Sequence, residues 1–275
     1  MLIGHRLFRL ASVGFLLTFA VIQLVPFYVA LTTALKPKSD LSSQWMPPTG
    51  RLYLDNFRIA IEQGGILRAI VNSLVVTSVA TVLVCLLGAL AAYPLARRGT
   101  WVNRVVMLLM LGSIMVPPLS VLVPLYSLMN QLGGVNTYWG IILILVTGQL
   151  PLSVFLYAAF IRTVPTALEE AARVDGAGTF RVFFRIVLPL LKPVTATVAI
   201  LTGVFIWNDY QMSVYMLTTQ DVRTIAPAIG SFFSQQSSNL GAAAAASLTA
   251  MAPILLAYLF LQRHFIKGML AGAEK

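Results

Sequence analysis

Long apolar runs without a single charge alternate along this chain with polar segments that hold all of its charged residues. The charge-free stretches run from Ala11 to Leu35, Ala69 to Ala96, Val105 to Ile161, Pro193 to Asn208 and Ala242 to Gln262. A bilayer stabilises such runs as helices, because only a helix satisfies its own backbone groups in lipid. The stretch beginning at Val105 is long enough for two spans. Its midpoint, Gln131-Leu-Gly-Gly-Val-Asn-Thr137, has the Gly and Asn chemistry of a tight turn. The pattern predicts an all-α integral membrane chain with six transmembrane helices, at residues 11–35, 69–96, 105–129, 138–161, 187–208 and 242–262. The first run exceeds a signal-peptide core and ends in no small-residue cleavage pattern, so it is expected to be a retained span.

Composition agrees with the pattern. Of 275 residues, 58% are hydrophobic and 10% charged, and the mean hydropathy is +0.85, whereas a soluble domain is about a quarter charged. The net charge of +10 would point to nucleic acid in a soluble chain. Here it reads as the positive residues that collect on the cytoplasmic ends of spans. A cytoplasmic N-terminus (residues 1–10) places 13 of the 19 Lys and Arg inside, leaving Lys36, Lys38, Arg51, Arg58, Arg68 and Arg223 outside. That asymmetry predicts both termini in the cytoplasm and a single transmembrane domain over residues 11–275. Two expected exterior segments, Lys36 to Arg68 and Asp209 to Gly241, the latter with the polar run Ser231 to Asn239, exceed ordinary connectors and are candidate meeting points for a solute or partner.

Enzyme chemistry is not legible. Cys85 stands alone in an apolar run and reads as a packing residue, and His5 and His264 lie near the termini without clustered ligands, so no metal site is expected. No Gly-x-x-x-x-Gly-Lys-[Ser/Thr] loop occurs, so any nucleotide chemistry must belong to another chain. Polar residues that interrupt or end the spans are candidates for a solute path, because they are costly in lipid. They are Asn72, Gln149, Asn208, Asp209 and Tyr210. Each has a structural alternative: Asn208 and Asp209 as helix caps, Gln149 as partner to a backbone group freed by Pro151, Asn72 as a bridge between helices. Pro94, Pro117, Pro118, Pro124 and Pro151 predict kinks.

The interior loop at residues 162–192 carries the most pattern. Thr166-Ala-Leu-Glu169 has the spacing of a capping box for a helix through about Val174, and Asp175-Gly176 is expected to end it. A second helix is expected from Thr179, with Phe180, Phe183, Phe184 and Val187 as an aromatic stripe flanked by Arg173, Arg181 and Arg185. Such a pair fits either an anionic lipid surface or a groove on a soluble partner, and periodicity does not choose between them.

Glu170-Ala171-Ala172, three residues, Gly176, nine residues, then Ile186-x-Leu188-Pro189 resembles without gaps the EAA loop of bacterial ABC importer membrane subunits. Glu169-Glu-Ala-Ala-Arg-Val-Asp-Gly-Ala177, Leu188-Pro-Leu-Leu-Lys-Pro193, Asn72-Ser73, Ala91-Ala92-Tyr93, Trp207-Asn208-Asp209 and the tail from Gln262-Arg263 to Gly272-Ala273 resemble the carbohydrate-uptake permeases of the maltose and glycerol-phosphate type, in their shorter six-span partner. The resemblance implies a type I ABC importer transmembrane domain in a bacterial or archaeal cell membrane, importing a sugar, a glycerol-phosphate compound or an amino sugar. It implies that the loop holds a coupling helix seated on a cytoplasmic ATPase through Glu169, Glu170, Ala171, Ala172, Asp175, Gly176 and Ala177. Ala171 and Ala172 would keep that helix slim enough to dock. The implied partners are a second permease subunit, two ATPase subunits using ATP and Mg, and an extracytoplasmic solute-binding protein, with no cofactor bound by this chain. The competing class is an ion-coupled carrier or channel, which would need charged groups within the spans; none lies mid-span here.

Overall fold

The apolar runs fold as helices. The computed structural model describes the backbone of residues 2–40, 42–233 and 239–273, and the side chains of these except 2–8, 10, 257–258 and 260–273. The side chains of His5 and His264, polar residues 234–238 and the side chains of the tail from Gln262 to Ala273 lie outside that description. Among the described residues there is no strand. In chain order the helices are α1 (Leu2–Ala34), α2 (Asp55–Glu62), α3 (Ile66–Arg97), α4 (Trp101–Ile114), a 3-10 turn (Pro118–Val121), α5 (Leu122–Gln131), α6 (Tyr138–Thr163), α7 (Ala167–Val174), α8 (Thr179–Val182), a π turn (Phe183–Val187), α9 (Leu188–Leu190), α10 (Lys192–Trp207), α11 (Gln211–Met216), α12 (Ile225–Gly230), a 3-10 turn (Ser231–Phe233) and α13 (Leu240–Ala273).

Among the described residues, three helical stretches are long and apolar enough to cross a membrane: Ala11–Ala34, Ile66–Arg97 and Tyr138–Thr163. Two further candidates are bent pairs, and Leu240–Leu256 is a shorter apolar stretch. The span expected at 105–129, with kinks at its prolines, is two helical pieces meeting at 97°. The cause is local, because Pro118 has no N–H to donate and Pro117 before it is held extended at φ −61°, ψ 128°. The expected fifth span at 187–208 also divides. Thr179–Leu190 and Lys192–Trp207 meet at 73° around Leu191, and Pro193 occupies the first turn of α10, where a missing N–H costs nothing.

The chain forms two compact units. In the first, residues 1–66 with 228–252, a polar hinge closes the end of α1. Buried Asn56 donates from Nδ2 to the carbonyls of Ala34 (2.9 Å) and Lys36 (2.8 Å). Lys36 turns its ammonium back onto the Ser42 hydroxyl and the Ser43 carbonyl, both at 2.8 Å. In the same unit Gly241 lies so close to Asn56 that any side chain there would strike it.

The second unit, residues 67–227 with 253–275, holds a continuous apolar core. Val76, Ala80, Val84, Ala89 and Ala92 of α3 meet Val154, Tyr157, Ala158 and Ile161 of α6, with Val187, Leu191 and Val198 from the later elements. Small residues let the backbones approach, as helix pairs in lipid require. A Cβ at Gly88 would run into the Ser153 side chain. Asn136 at φ 57° and Gly133 at φ 70° make the tight turn between α5 and α6, where the sequence places it.

Candidate functional site

The loop after α6 begins with backbone chemistry. Val164, before Pro165, is extended at φ −77°, ψ 126°, which ends α6. α7 follows, and its start corrects one expectation. Thr166 has helical dihedrals of −65° and −27° and makes no side-chain cap bond. Glu169 does not reach back to the backbone either, because it has stronger partners. Its Oε1 accepts from Arg97 Nε at 2.7 Å and its Oε2 from the Tyr93 hydroxyl at 2.7 Å. Charge-assisted bonds of this kind outcompete the bond to a neutral amide that a capping box offers. Glu169 is only 2% exposed. Arg97 also donates from Nη2 to the Val164 carbonyl (2.9 Å), and Arg173 approaches Glu169 Oε2 at 3.5 Å.

The end of α7 is as the sequence predicts, in finer form. Gly176 N–H donates to the Arg173 carbonyl and Ala177 N–H to the Ala172 carbonyl, a paired C-terminal cap that needs a left-handed residue. Gly176 supplies it at φ 81°. Ala172 and Ala177, the two ends of that cap, pack against the core.

α7 therefore has two faces. Glu169, Ala172 and Ala177 turn toward the chain's own body, while Glu170, Ala171, Asp175 and Gly176 are exposed. Val174 at 88% and Phe180 at 78% exposure stand beside the second group. The small size of Ala172 thus serves packing against the chain's own core. The expected aromatic stripe is divided: Phe183 and Val187 are buried, and Phe180 and Phe184 are exposed. The π turn at Phe183–Val187 adds a residue to the helical repeat and rotates the stripe out of register. Phe183 stacks at a tilt on Tyr93, ring centres 5.3 Å apart. Tyr93, Arg97, Arg173, Thr179 and Phe180 line a cavity of about 580 Å³ there.

The candidate solute-path residues differ in their surroundings. Asn72 is 2% exposed and uses every polar atom: Nδ2 donates to the carbonyls of Asp221 (3.0 Å) and Arg223 (2.9 Å), and Oδ1 accepts from the Tyr138 hydroxyl (2.7 Å). Beside it, the Ser73 hydroxyl accepts from the Ile225 amide at 2.9 Å. Asp209 caps α11, its Oδ2 accepting from the Ser213 amide (2.9 Å) and hydroxyl (2.8 Å). Asn208 donates back to the Val204 carbonyl of its own helix. Gln149 is half-buried in α6. Tyr210 is exposed and borders a shallow cleft with Leu119, Gln211, Val214 and Tyr215.

Sequence reasoning did not single out Arg97, Arg68, Tyr138 or the 221–225 backbone. One signal was available for Arg97: it sits four residues after Tyr93 in the last turn of an apolar helix, where both side chains share a face. The partners of Asn72 lie 149 and 151 residues away in sequence and left no local trace.

The model of the binding-protein-dependent transport system inner membrane component family matches residues 84–270. The chain is 45% identical over 252 residues to the melibiose/raffinose/stachyose import permease protein MelC of Bacillus subtilis, covering 91% of each chain. It is 32% identical to the trehalose transport system permease protein SugB of Mycobacterium tuberculosis, covering 92% of each. Among solved structures, a chain of a bacterial ABC transporter involved in the import of the acidic polysaccharide alginate matches with a TM-score of 0.76 at 18% identity, covering 94% of this chain and 97% of that one.

Proposed function

Because this chain belongs to the binding-protein-dependent transport system inner membrane component family, we propose that it is the permease subunit of an ATP-driven importer of oligosaccharides. The observation that carries the reading is the family match itself, which runs through the 162–192 loop and most of the helices. The relative at 45% identity over 91% of the chain is named for melibiose, raffinose and stachyose. That weighs for an oligosaccharide over a glycerol-phosphate compound or an amino sugar.

On this reading α1, α3, the bent α4–α5 pair, α6, α10 and the start of α13 are six spans of a multi-pass inner-membrane protein. Both termini and α7 face the cytoplasm, as the distribution of Lys and Arg favours. α7 is the coupling helix. Its exposed face, with Glu170, Ala171, Val174 and Asp175, seats in a groove of an ATPase subunit, and Glu169, Ala172 and Ala177 hold it to the permease. ATP and Mg are used by the ATPase pair, and this chain binds no cofactor. A second permease subunit completes the solute path, and a solute-binding protein delivers the sugar to the outer segments. Of the candidate path residues, Tyr210 lines a cleft.

The test is reconstitution of the permease pair with its ATPase and binding protein in liposomes. Uptake is measured with melibiose, raffinose, stachyose, trehalose and glycerol phosphate. The expected result is ATP-dependent uptake of one or more oligosaccharides, with ATP hydrolysis raised by the loaded binding protein. Uptake by this chain alone, driven by an ion gradient without ATP, would overturn the proposal.

A further inference from the structure

α3 differs from the other long helices in where its proline lies. α1 carries Pro26, α6 Pro151 and α13 Pro253 within their lengths, whereas the proline of α3 is Pro94, in its last turn. From Ser73 to Tyr93 no residue is proline, and the first ladder bond lost is the one Pro94 cannot make to the Leu90 carbonyl. At 1.5 Å per residue this stretch is about 30 Å long, the thickness of a bilayer core. Helices bend sharply at proline, so a stretch without one is expected to be stiff up to its last turn.

Each end of that stiff stretch is fastened by side chains at helical spacing. At one end, Tyr93 and Arg97 hold Glu169 of α7 at 2.7 Å each, in a buried site. At the other, Arg68 binds Asp221 through its carboxylate (2.7 Å) and its carbonyl (3.0 Å), Asn72 holds the carbonyls of Asp221 and Arg223, and Ser73 receives the Ile225 amide. The Arg68 pair is solvent-exposed and adds little. Asn72 and Ser73, each 2% exposed, are the fastening that matters there. Two segments far apart in the sequence, 166–177 and 221–225, are thus tied to opposite ends of one rod.

We propose that α3 is a strut that carries displacement of the ATPase-facing helix α7 directly to the outer 221–225 segment, and the reverse, with Glu169 and Asn72 as its positioning residues. This rests on the permease reading, in which α7 is cytoplasmic and 221–225 lies in the exterior segment facing the binding protein. Loss of either clamp frees one end of the rod, so the two losses interrupt one and the same path. They act non-additively, as coupled residues do.

The experiment uses the reconstituted transporter with its loaded binding protein and reads sugar imported per ATP hydrolysed, and the stimulation of hydrolysis by that protein. Glu169→Ala and Asn72→Ala, each checked for intact assembly by size-exclusion chromatography, are expected to lower both readouts at least about tenfold. The double variant is expected to be no worse than the poorer single. Should Glu169→Ala fail to assemble, Tyr93→Phe removes only one hydroxyl from the same clamp and takes its place, with a smaller drop of the same kind. Wild-type coupling in either assembled single variant, or losses that multiply in the double, would overturn the strut and leave the permease reading standing. A wild-type complex that imports nothing with ATP would overturn both.

Discussion

Arg97 and Glu169, 72 residues apart in the sequence, meet at 2.7 Å with 13% and 2% of their side chains exposed. The pair fixes the helix that follows α6 to the end of α3. Its energetics differ from those of an ion pair in water, because neither charge can be left alone at low cost.

Arg97→Ala is therefore expected to destabilise the fold by about 3 kcal/mol or more, since it strands a buried carboxylate. Arg97→Lys keeps the charge but cannot serve both Glu169 and the Val164 carbonyl, and is expected to fall between. Arg58→Ala, which breaks the exposed pair with Glu62, is expected to change stability by less than about 0.5 kcal/mol. Thermal unfolding of the three variants in detergent checks the order.

Ala171 and Ala172 are neighbours on different faces of α7, one exposed and one packed against the core. Ala171→Trp is expected to leave thermal stability unchanged and to abolish co-purification of the ATPase. Ala172→Trp overfills the chain's own interior and is expected to cost about 1–3 kcal/mol. Pull-down and unfolding, measured together, separate the two effects.

Gly176 caps α7 at φ 81° with open space around it. Gly176→Ala is thus a test of backbone conformation alone, and about 1 kcal/mol of destabilisation is expected. Gly176→Asn, which tolerates the left-handed region better, is expected to lose less. The readout is the unfolding temperature of the two variants.

Asn72→Leu keeps the volume but removes three hydrogen bonds, leaving the Arg223 carbonyl and the Tyr138 hydroxyl short of a partner, while the Asp221 carbonyl keeps its bond from Arg68. A cost of about 1–3 kcal/mol for each group left unsatisfied and out of water is expected. The loss should be local, seen as faster hydrogen exchange in residues 221–225 while α10 keeps its protection.

Much of the fold was legible because its causes are local. A charge-free run has one stable form in lipid, so that α1, α3 and α6 are helices could be read from composition along the chain, although α1 begins at Leu2, well before its charge-free run. The turn at Gln131 to Thr137 and the stop at Gly176 follow from residues that accept positive φ. The bends at Pro117 and Leu191 also have local causes. Pro117 and Pro118 marked a break within 105–129, but not that its two pieces meet at 97°.

The loop helix shows where local reading ends. The sequence by itself determined that residues 167–174 form a helix, that Gly176 ends it, and that Glu169 and Glu170 lie in its first turn. A capping box was the natural reading, since the spacing of Thr166 and Glu169 permits one. Only the tertiary structure decided that Glu169 turns inward to Tyr93 and Arg97, that Ala172 packs and Ala171 stands free, and that Asn72 ties α3 to residues 221–225. Periodicity says which side chains share a face; what covers that face is set by residues far along the chain, and a buried charge follows the partner that best offsets its loss of water.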